Sequence, residues 1–264
     1  MVVHGYRTCA RTVRFNRHRS AKIHGLLHMN PQARIGLIIP SSNCLTEPQF
    51  QRYAPPGVGV HVTRLRMTGQ WHRSLYELEG AITEAASALS DIKPGIIVFH
   101  CTRSSMEEGL AGEARVVEVI QKASGCPTIT TGQAITEALN YLRIKKLVLI
   151  TPYGEKANQG EVDYLHAAGF EVIHELGLGL AGSDEYIAVM PKRWREIACE
   201  NVRPKAEGYL LSCTNTTMIE VIEKLERDLG KPVVTSNQAT LWACLRKVSF
   251  TQPTMGLGRL FHQV

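Results

Sequence analysis

The sequence predicts an α/β protein made of two similar halves, each a parallel sheet covered by helices, related by a pseudo-two-fold axis with the ligand cleft between them. Three observations lead there. From residue 34 onward, short runs rich in Ile and Val alternate with longer segments of helical periodicity, a spacing that makes right-handed βαβ units. Three blocks then recur in the same order: IGLIIPSSN at 35–43 resembles LVLITPYGEKAN at 147–158, GIIVFHCTRSSMEEG at 95–109 resembles GYLLSCTNTTMIE at 208–220, and CPTITTGQA at 126–134 resembles KPVVTSNQA at 231–239. Finally, the offsets nearly agree: 112 residues from Pro40 to Pro152, 112 from Cys101 to Cys213, and 105 from Gln133 to Gln238.

In the first half the apolar runs at 34–40, 58–65 and 95–99 read as strands, and 74–89, 106–123 and 132–142 as helices. In the second half 147–151, 170–176, 209–212 and 233–235 read as strands, and 155–168, 184–199, 217–229 and 238–247 as helices. The expected division is a first α/β domain of 31–125 plus 231–264, and a second of 126–230. Residues 1–30 are expected to stand apart as a basic, disordered extension.

Composition excludes several classes. With 264 residues, 44% hydrophobic and 20% charged, the chain is neither disordered nor collagen-like nor a small disulfide scaffold. No apolar run approaches the roughly 18 to 20 residues that cross a bilayer, so no membrane partner is expected. The net charge of +6 sits in the first 30 residues, where Arg7, Arg11, Arg14, Arg17, Arg19 and Lys22 meet no acid. The remainder has 24 basic against 24 acidic residues, so no basic face for nucleic acid is expected. The Arg-rich, acid-free segment has the composition of a transit peptide but lacks an apolar face. An extension ahead of a start at Met29, dispensable for folding, fits it better.

Seven cysteines, an odd number at irregular spacing with no secretory apolar region, point to free thiols in a reducing, cytoplasmic compartment. There is no C-x-x-C and no His pair at ligand spacing, so neither a metal site nor a cofactor is expected. Cys9, Cys44, Cys126, Cys199 and Cys244 read as buried, inert small apolar residues. Cys101 and Cys213 read differently, because each follows a strand at the same place in the repeat, where open α/β sheets put their ligand sites. Ser105 with Glu108, and Thr217 with Glu220, have capping-box spacing, which places each thiol at a helix N-terminus where a thiolate or a carboxylate is stabilised. Two facing thiols suit chemistry on one planar carbon: one acts as base or nucleophile, the other as proton donor from the opposite side.

The segments PSSN at 40–43, HCTRSS at 100–105, TPYGEKAN at 151–158, LSCTNTT at 211–217 and VVTSNQATLWACLR at 233–246 together resemble the aspartate/glutamate racemase superfamily. The nearest branch is that of maleate cis-trans isomerases and arylmalonate decarboxylases, and the resemblance covers about residues 33 to 250. It implies two Rossmann-like domains and a cofactor-independent isomerase or racemase of a small (di)carboxylic acid. It also implies Cys101 as the cysteine that attacks the alkene carbon to form a succinyl intermediate, and Cys213 as the one that handles the neighbouring proton. Ser42, Asn43 and Tyr153 match substrate-binding positions, and backbone amides around Thr102, Arg103, Ser104 and Ser105, and around Thr214, Asn215 and Thr216, would complete two carboxylate cradles. Without the resemblance, Asn43 reads as an Asx-turn or helix cap, and Tyr153 as a half-buried aromatic with a satisfied hydroxyl.

The departures carry information. The decarboxylase branch has a glycine where Cys101 stands, so decarboxylation by Cys213 alone is the alternative, and a non-catalytic carboxylic-acid-binding protein is the other. Maleate isomerases carry an asparagine where Asp184 is the nearest match; an acid there would repel a dicarboxylate, unless Asp184 and Ser183 merely cap the next helix. Arg103 leans the other way, either pairing a carboxylate and favouring the Cys101 anion or pointing to solvent. Gly177, Gly179 and Gly182 spell G-x-G-x-x-G, but Asp184 and Glu185 put negative charge where a pyrophosphate would lie, so nucleotide binding is not expected. Assembly as a homo-oligomer is the default expectation.

Overall fold

A computed structural model describes residues 31–250 and 254–262, and the basic extension 1–30 lies outside the described residues. The first half runs β1 (Ala33–Pro40), α1 (Thr46–Tyr53), β2 (Val58–Leu65), α2 (Leu75–Ser90), β3 (Ile96–Phe99), α3 (Thr102–Met106), α4 (Gly109–Ser124), β4 (Thr128–Thr130) and α5 (Thr131–Tyr141). The second runs β5 (Lys146–Thr151), α6 (Glu155–Ala167), β6 (Glu171–Gly177), α7 (Ser183–Ala188), α8 (Pro191–Glu200), β7 (Gly208–Leu211), α9 (Ile222–Leu229), β8 (Val233–Thr235) and α10 (Ser236–Lys247). The two sheets have the same order, β2-β1-β3-β4 and β6-β5-β7-β8, and every pairing is parallel. The expected α/β repeat is therefore present in both halves.

Helices cover both faces of such sheets, so the inner strands read as unbroken apolar runs. Ile35, Leu37, Ile96 and Val98 of the first sheet and Leu149, Ile150, Leu210 and Leu211 of the second are fully buried in one continuous core that spans both halves. A second cluster, including Ile38, Ile82, Phe99 and Ile120, fills the space between the first sheet and α2 and α4. After β4 and after β8 the same device starts the next helix. Thr130 with Gln133, and Thr235 with Gln238, each form a complete capping box. The helices capped in this way, α5 and α10, pack on each other, with the Tyr141 and Trp242 rings 5.0 Å apart.

The sheets divide the chain differently from the expected boundaries. β4 hydrogen-bonds to β3, so the first sheet continues past 126. β8 pairs with β7, so 233–235 complete the second sheet instead of returning to the first. Three expected helices are each broken. The 106–123 helix is split into α3 and α4 at Glu107 and Glu108, before Gly109 with φ +65°. The 184–199 helix is split at Pro191, which lacks an N–H and holds Met190 extended, so α8 starts afresh there. The 217–229 helix begins as a 3-10 turn, Met218–Val221, before α9. α1 and β4 are additions. α1 has the single buried apolar side chain of Phe50, and its N-terminus is held by Asn43 Oδ1, which accepts from the N–H groups of Leu45 and Thr46 at 3.1 and 2.9 Å.

Candidate active site

Because all strands in each sheet run parallel, the loops after β1, β3, β5 and β7 gather at the carboxyl edges of the sheets. They enclose a cavity of about 400 Å³. Of the expected site residues, Ser42, Asn43, Cys101, Arg103, Tyr153, Cys213, Thr214 and Asn215 line it. Thr102, Ser104 and Asp184 do not. Thr102 is buried behind it, its hydroxyl donating to Ser236 Oγ at 2.9 Å. Ser104 is buried and touches the cavity only through Cys101, whose thiol donates to Ser104 Oγ at 3.3 Å. Asp184 is exposed and does not line the cavity, so the expected direct contact between it and a dicarboxylate is not found; its neighbour Ser183 is the lining residue.

Cys101 and Cys213 are 4% and 6% exposed. Their environments reverse the expectation that both thiols are acidified. Burial raises the Cys101 thiol, against the hydroxyl and amide of Ser104, which favour the thiolate. Burial pushes Cys213 up to about 12, although the Tyr153 hydroxyl and the Asn215 N–H, 3.3 Å away, both donate to its sulfur. The helix-terminus argument fails because the supposed capping boxes do not form. Ser105 donates to the Thr102 carbonyl at 2.9 Å and accepts from Gly132 N–H at 3.1 Å, while the Thr217 hydroxyl donates to the Val189 carbonyl at 2.7 Å. Cys101 leads into a five-residue helix and the Cys213 loop into a 3-10 turn, both too short for a macrodipole to outweigh desolvation. Arg103 does not tip the balance for Cys101 either, since its guanidinium pairs with Glu107 at 3.3 Å and the Glu107 charge acts more strongly on the thiol.

The remaining cysteines divide three ways. Cys44 and Cys199 are exposed, Cys126 is half-buried and only Cys244 is buried, so the expectation of buried, inert thiols holds for Cys244 alone among those described. Cys9 lies outside the described residues.

Tyr153 is placed by the turn after β5. Its N–H donates to Thr151 Oγ1 at 3.1 Å, its carbonyl accepts from Gly179 N–H at 2.9 Å, and its ring meets Tyr186 edge-on at 5.8 Å. This explains two glycines of the G-x-G-x-x-G stretch without a nucleotide. A Cβ on Gly177 would stand 2.6 Å from the Tyr153 carbonyl oxygen, and Gly179 has φ +68°. Gly177→Ala is therefore expected to shift Tyr153 and to destabilise the chain by about 1 to 3 kcal/mol, as read by urea unfolding; a stability equal to the parent's would contradict this account of the glycine.

Asn43 and Asn215 are structural in the arrangement seen. Asn43 Nδ2 donates to the carbonyl and hydroxyl of Thr214 at 3.3 and 3.2 Å, while its Oδ1 caps α1. Asn215 Oδ1 accepts from the N–H groups of Cys44 and Leu45, and its Nδ2 donates to Ser183 Oγ at 2.7 Å. The loop after β1 and the loop after β7 are thus clasped across the two halves. Ser42 adds its carbonyl, which accepts from the Ser183 hydroxyl at 2.8 Å.

Several lining residues were not anticipated: Trp71 and its neighbours Thr68, Gly69 and Gln70, and Ser183 with Tyr186. Tyr186 and Ser183 adjoin the glycine stretch, whose spacing in the sequence brings only a nucleotide to mind. Trp71 lies in a segment with no periodicity, where Arg66 stacks on its ring at 4.7 Å. Arg103 is the single charged side chain among the lining residues, and Glu107 pairs with it from outside the cavity. Among the described residues no cluster of His, Cys, Asp or Glu could hold a metal ion, and no helix is long and apolar enough to cross a membrane.

The comparisons with known proteins agree with this fold. A maleate isomerase of Pseudomonas putida is 28% identical over 240 residues, covering 86% of this chain and 96% of that protein. An arylmalonate decarboxylase of Bordetella bronchiseptica is 24% identical over 234 residues, 87% of this chain and 96% of that protein. Among solved structures, a cysteine-to-serine variant of Nocardia farcinica maleate cis-trans isomerase, holding a covalently bound succinylcysteine intermediate, superposes with a TM-score of 0.79 at 23% identity, over 87% of this chain and 98% of that one. The family profile described as arylmalonate decarboxylase matches residues 35–261. That stretch takes in both cysteine loops and all eight strands save the first two residues of β1, and the chain belongs to the arylmalonate decarboxylase family.

Proposed function

We propose that the chain is a cofactor-independent cis-trans isomerase of a small unsaturated dicarboxylic acid of the maleate type. The observation that carries the reading is that Cys101 and Cys213, on equivalent loops of the two halves, line one cavity. The Cys101 thiolate adds to one alkene carbon, and the π electron pair moves to the neighbouring carbon, delocalised into its carboxylate. The Cys213 thiol delivers its proton to that carbon, leaving a succinyl thioether on Cys101 with a single C–C bond that rotates by half a turn. The Cys213 thiolate then takes the proton back, the C–H pair re-forms the double bond in the trans geometry, and the C–S pair returns to Cys101 sulfur. Burial supports the division of roles, because a Cys213 thiol held near 12 keeps its proton at neutral pH, as a donor must. The Tyr153 hydroxyl and Asn215 N–H then stabilise its transient anion.

Arg103 is the group that exchanges its Glu107 partner for a substrate carboxylate, and the Thr214 hydroxyl and Asn43 carboxamide meet the second one. The covalent adduct in the Nocardia relative and the maleate isomerase names of several relatives support this reading. The presence of Cys101 weighs against decarboxylation by Cys213 alone.

The test is incubation with the cis enedioic acid, followed by proton NMR. The expected result is conversion to the trans isomer without added cofactor, with a rate that rises from pH 7 toward 9, because a thiol raised above its ordinary value of 9.0 is only fractionally ionised there. Release of carbon dioxide from an arylmalonate with no isomerisation of any cis enedioate would overturn the reading in favour of the decarboxylase.

A further inference from the structure

Two residues at the start of α10, Ser236 and Asn237, do not line the cavity, yet both cysteine loops end on them. Ser236 Oγ accepts from Thr102 Oγ1 at 2.9 Å and from the Cys213 N–H at 3.0 Å. Asn237 Oδ1 meets His100 Nε2 at 2.9 Å, while its Nδ2 donates to the Thr214 carbonyl at 3.0 Å and to Gln49 Oε1 at 2.5 Å. The residues on either side of Cys101, and the amide of Cys213 with the carbonyl of its successor, are thus tied to two consecutive side chains.

The donor assignments are fixed by the surroundings. Both Nδ2 protons of Asn237 are committed, so its Oδ1 accepts and His100 Nε2 carries the proton. His100 Nδ1 then accepts from the Thr131 hydroxyl at 3.0 Å. His100, Thr102, Thr214, Ser236 and Asn237 are all buried, so water cannot substitute for a lost bond.

The repeat sharpens the point, because the counterpart helix α5 does not do this. Its first residues, Thr131 and Gly132, sit where Ser236 and Asn237 sit, but they reach only the Cys101 loop, through His100 and Ser105. A side chain at Gly132 would strike Glu113 and the Tyr164 hydroxyl. The cross-link between the loops therefore belongs to α10 alone.

We infer that Ser236 and Asn237 are positioning residues that set the spacing and orientation of the Cys101 and Cys213 sulfurs by bonding both loops at once. The inference rests on the isomerase reading only for its kinetic consequence. A misplacement on the scale of an ångström between a nucleophile and a proton donor costs on the order of 10²-fold in rate, while ground-state binding through Arg103 is untouched. Asn237 shares the Thr214 carbonyl with Thr46 and Asn43, whereas the Cys213 N–H has Ser236 as its hydrogen-bond acceptor, so Ser236 is the more sensitive position.

The experiment uses the full chain with Ser236→Ala, Asn237→Ala and, as the conservative variant, Ser236→Thr, since threonine stands at the equivalent position of the first half. For each, kcat and KM on the cis enedioate are measured, together with iodoacetamide alkylation rates of Cys101, Cys213 and Cys244 by peptide mass mapping. Cys244, buried two turns further along α10, reports loss of the helix itself. Ser236→Ala is expected to lower kcat by about 10- to 10²-fold with KM changed by less than about threefold. It is also expected to raise alkylation of Cys213 by about fivefold or more through local opening, with Cys244 unchanged and Ser236→Thr restoring both. Asn237→Ala is expected to act in the same direction more weakly. Unchanged kcat and alkylation in Ser236→Ala, or Cys244 rising in step with Cys213, would overturn the proposal. If the parent chain isomerises no enedioate, the isomerase reading falls and the alkylation pattern alone decides this one.

Discussion

Cys101→Ser and Cys213→Ser are each expected to lower isomerisation by at least about 10³-fold. A serine hydroxyl at neutral pH is neither a comparable nucleophile nor a comparable acid, and the two steps share one intermediate. The double variant is for the same reason expected to be no worse than the poorer single one, since groups that act as a unit do not add. Cys44→Ser and Cys199→Ser serve as controls, because both side chains are exposed and neither lines the cavity. Turnover assays of the four single variants and the double variant check this. Full turnover in Cys101→Ser with loss only in Cys213→Ser would transfer the chemistry to a single cysteine, the decarboxylase pattern.

Glu161→Gln is expected to stabilise the chain, increasingly so as pH rises. Glu161 on α6 is 1% exposed, and burial lifts its carboxyl to about 8, with the Ser212 hydroxyl as the polar neighbour that opposes the shift. Between its ordinary 4.5 and about 8 the unfolded chain gives up this proton while the folded chain keeps it, so folding takes up a proton and stability falls as pH rises across that window. At one pKa unit per 1.36 kcal/mol, the penalty is on the order of 3 kcal/mol between about pH 5 and 7.5. Glutamine has no such proton. His100, whose burial lowers it to about 4, is present in both chains and cancels. Urea unfolding at about pH 5 and pH 7.5 is expected to show the gap between variant and parent widening by about that amount in favour of glutamine; a gap independent of pH would mean that Glu161 ionises in the folded chain as it does in water. Glu161 also faces Cys213 and Tyr153 electrostatically, and its neutral form spares both a second negative charge.

The repeat was legible because it is written in apolar runs. IIVF of β3 and LVLI of β5 bury both faces of a parallel sheet, and their recurrence between helical segments marked them as strands. Elements without such runs were not legible. α1 has the sequence TEPQFQRY and is held by a side chain outside it, and β4 is three residues long and recognisable only through its partner β3. The break at Pro191 was written in the chain but outweighed by the helical pattern on either side.

At the site, sequence spacing located the two cysteines, since each comes directly after a strand end at the same place in the repeat, while Tyr153 and the loop after β1 were singled out only by the family resemblance. It could not weigh burial against local dipoles, which is why both thiols came out with the wrong direction of pKa shift. Nor could it tell Asp184 from Ser183, adjacent residues at a loop-to-helix junction of which only Ser183 lines the cavity. Asn43 shows the converse: the bland expectation of an Asx-type cap describes its hydrogen bonds as found, and any contact with a substrate requires it to release Thr214.

The most direct measurement is the peptide mass map of Cys213→Ser after incubation with the cis enedioic acid. Without Cys213 the neighbouring carbon is protonated slowly by water, and the thiol that would take that proton back is missing, so the thioether on Cys101 forms slowly, has no efficient exit and accumulates. The account predicts a gain of one intact dicarboxylic acid on the peptide carrying Cys101, absent from Cys44, Cys126, Cys199 and Cys244, and absent when Cys101 is also serine. An unmodified Cys101 in a variant that still binds the acid, or an adduct at Cys213 in the Cys101→Ser chain, would contradict it.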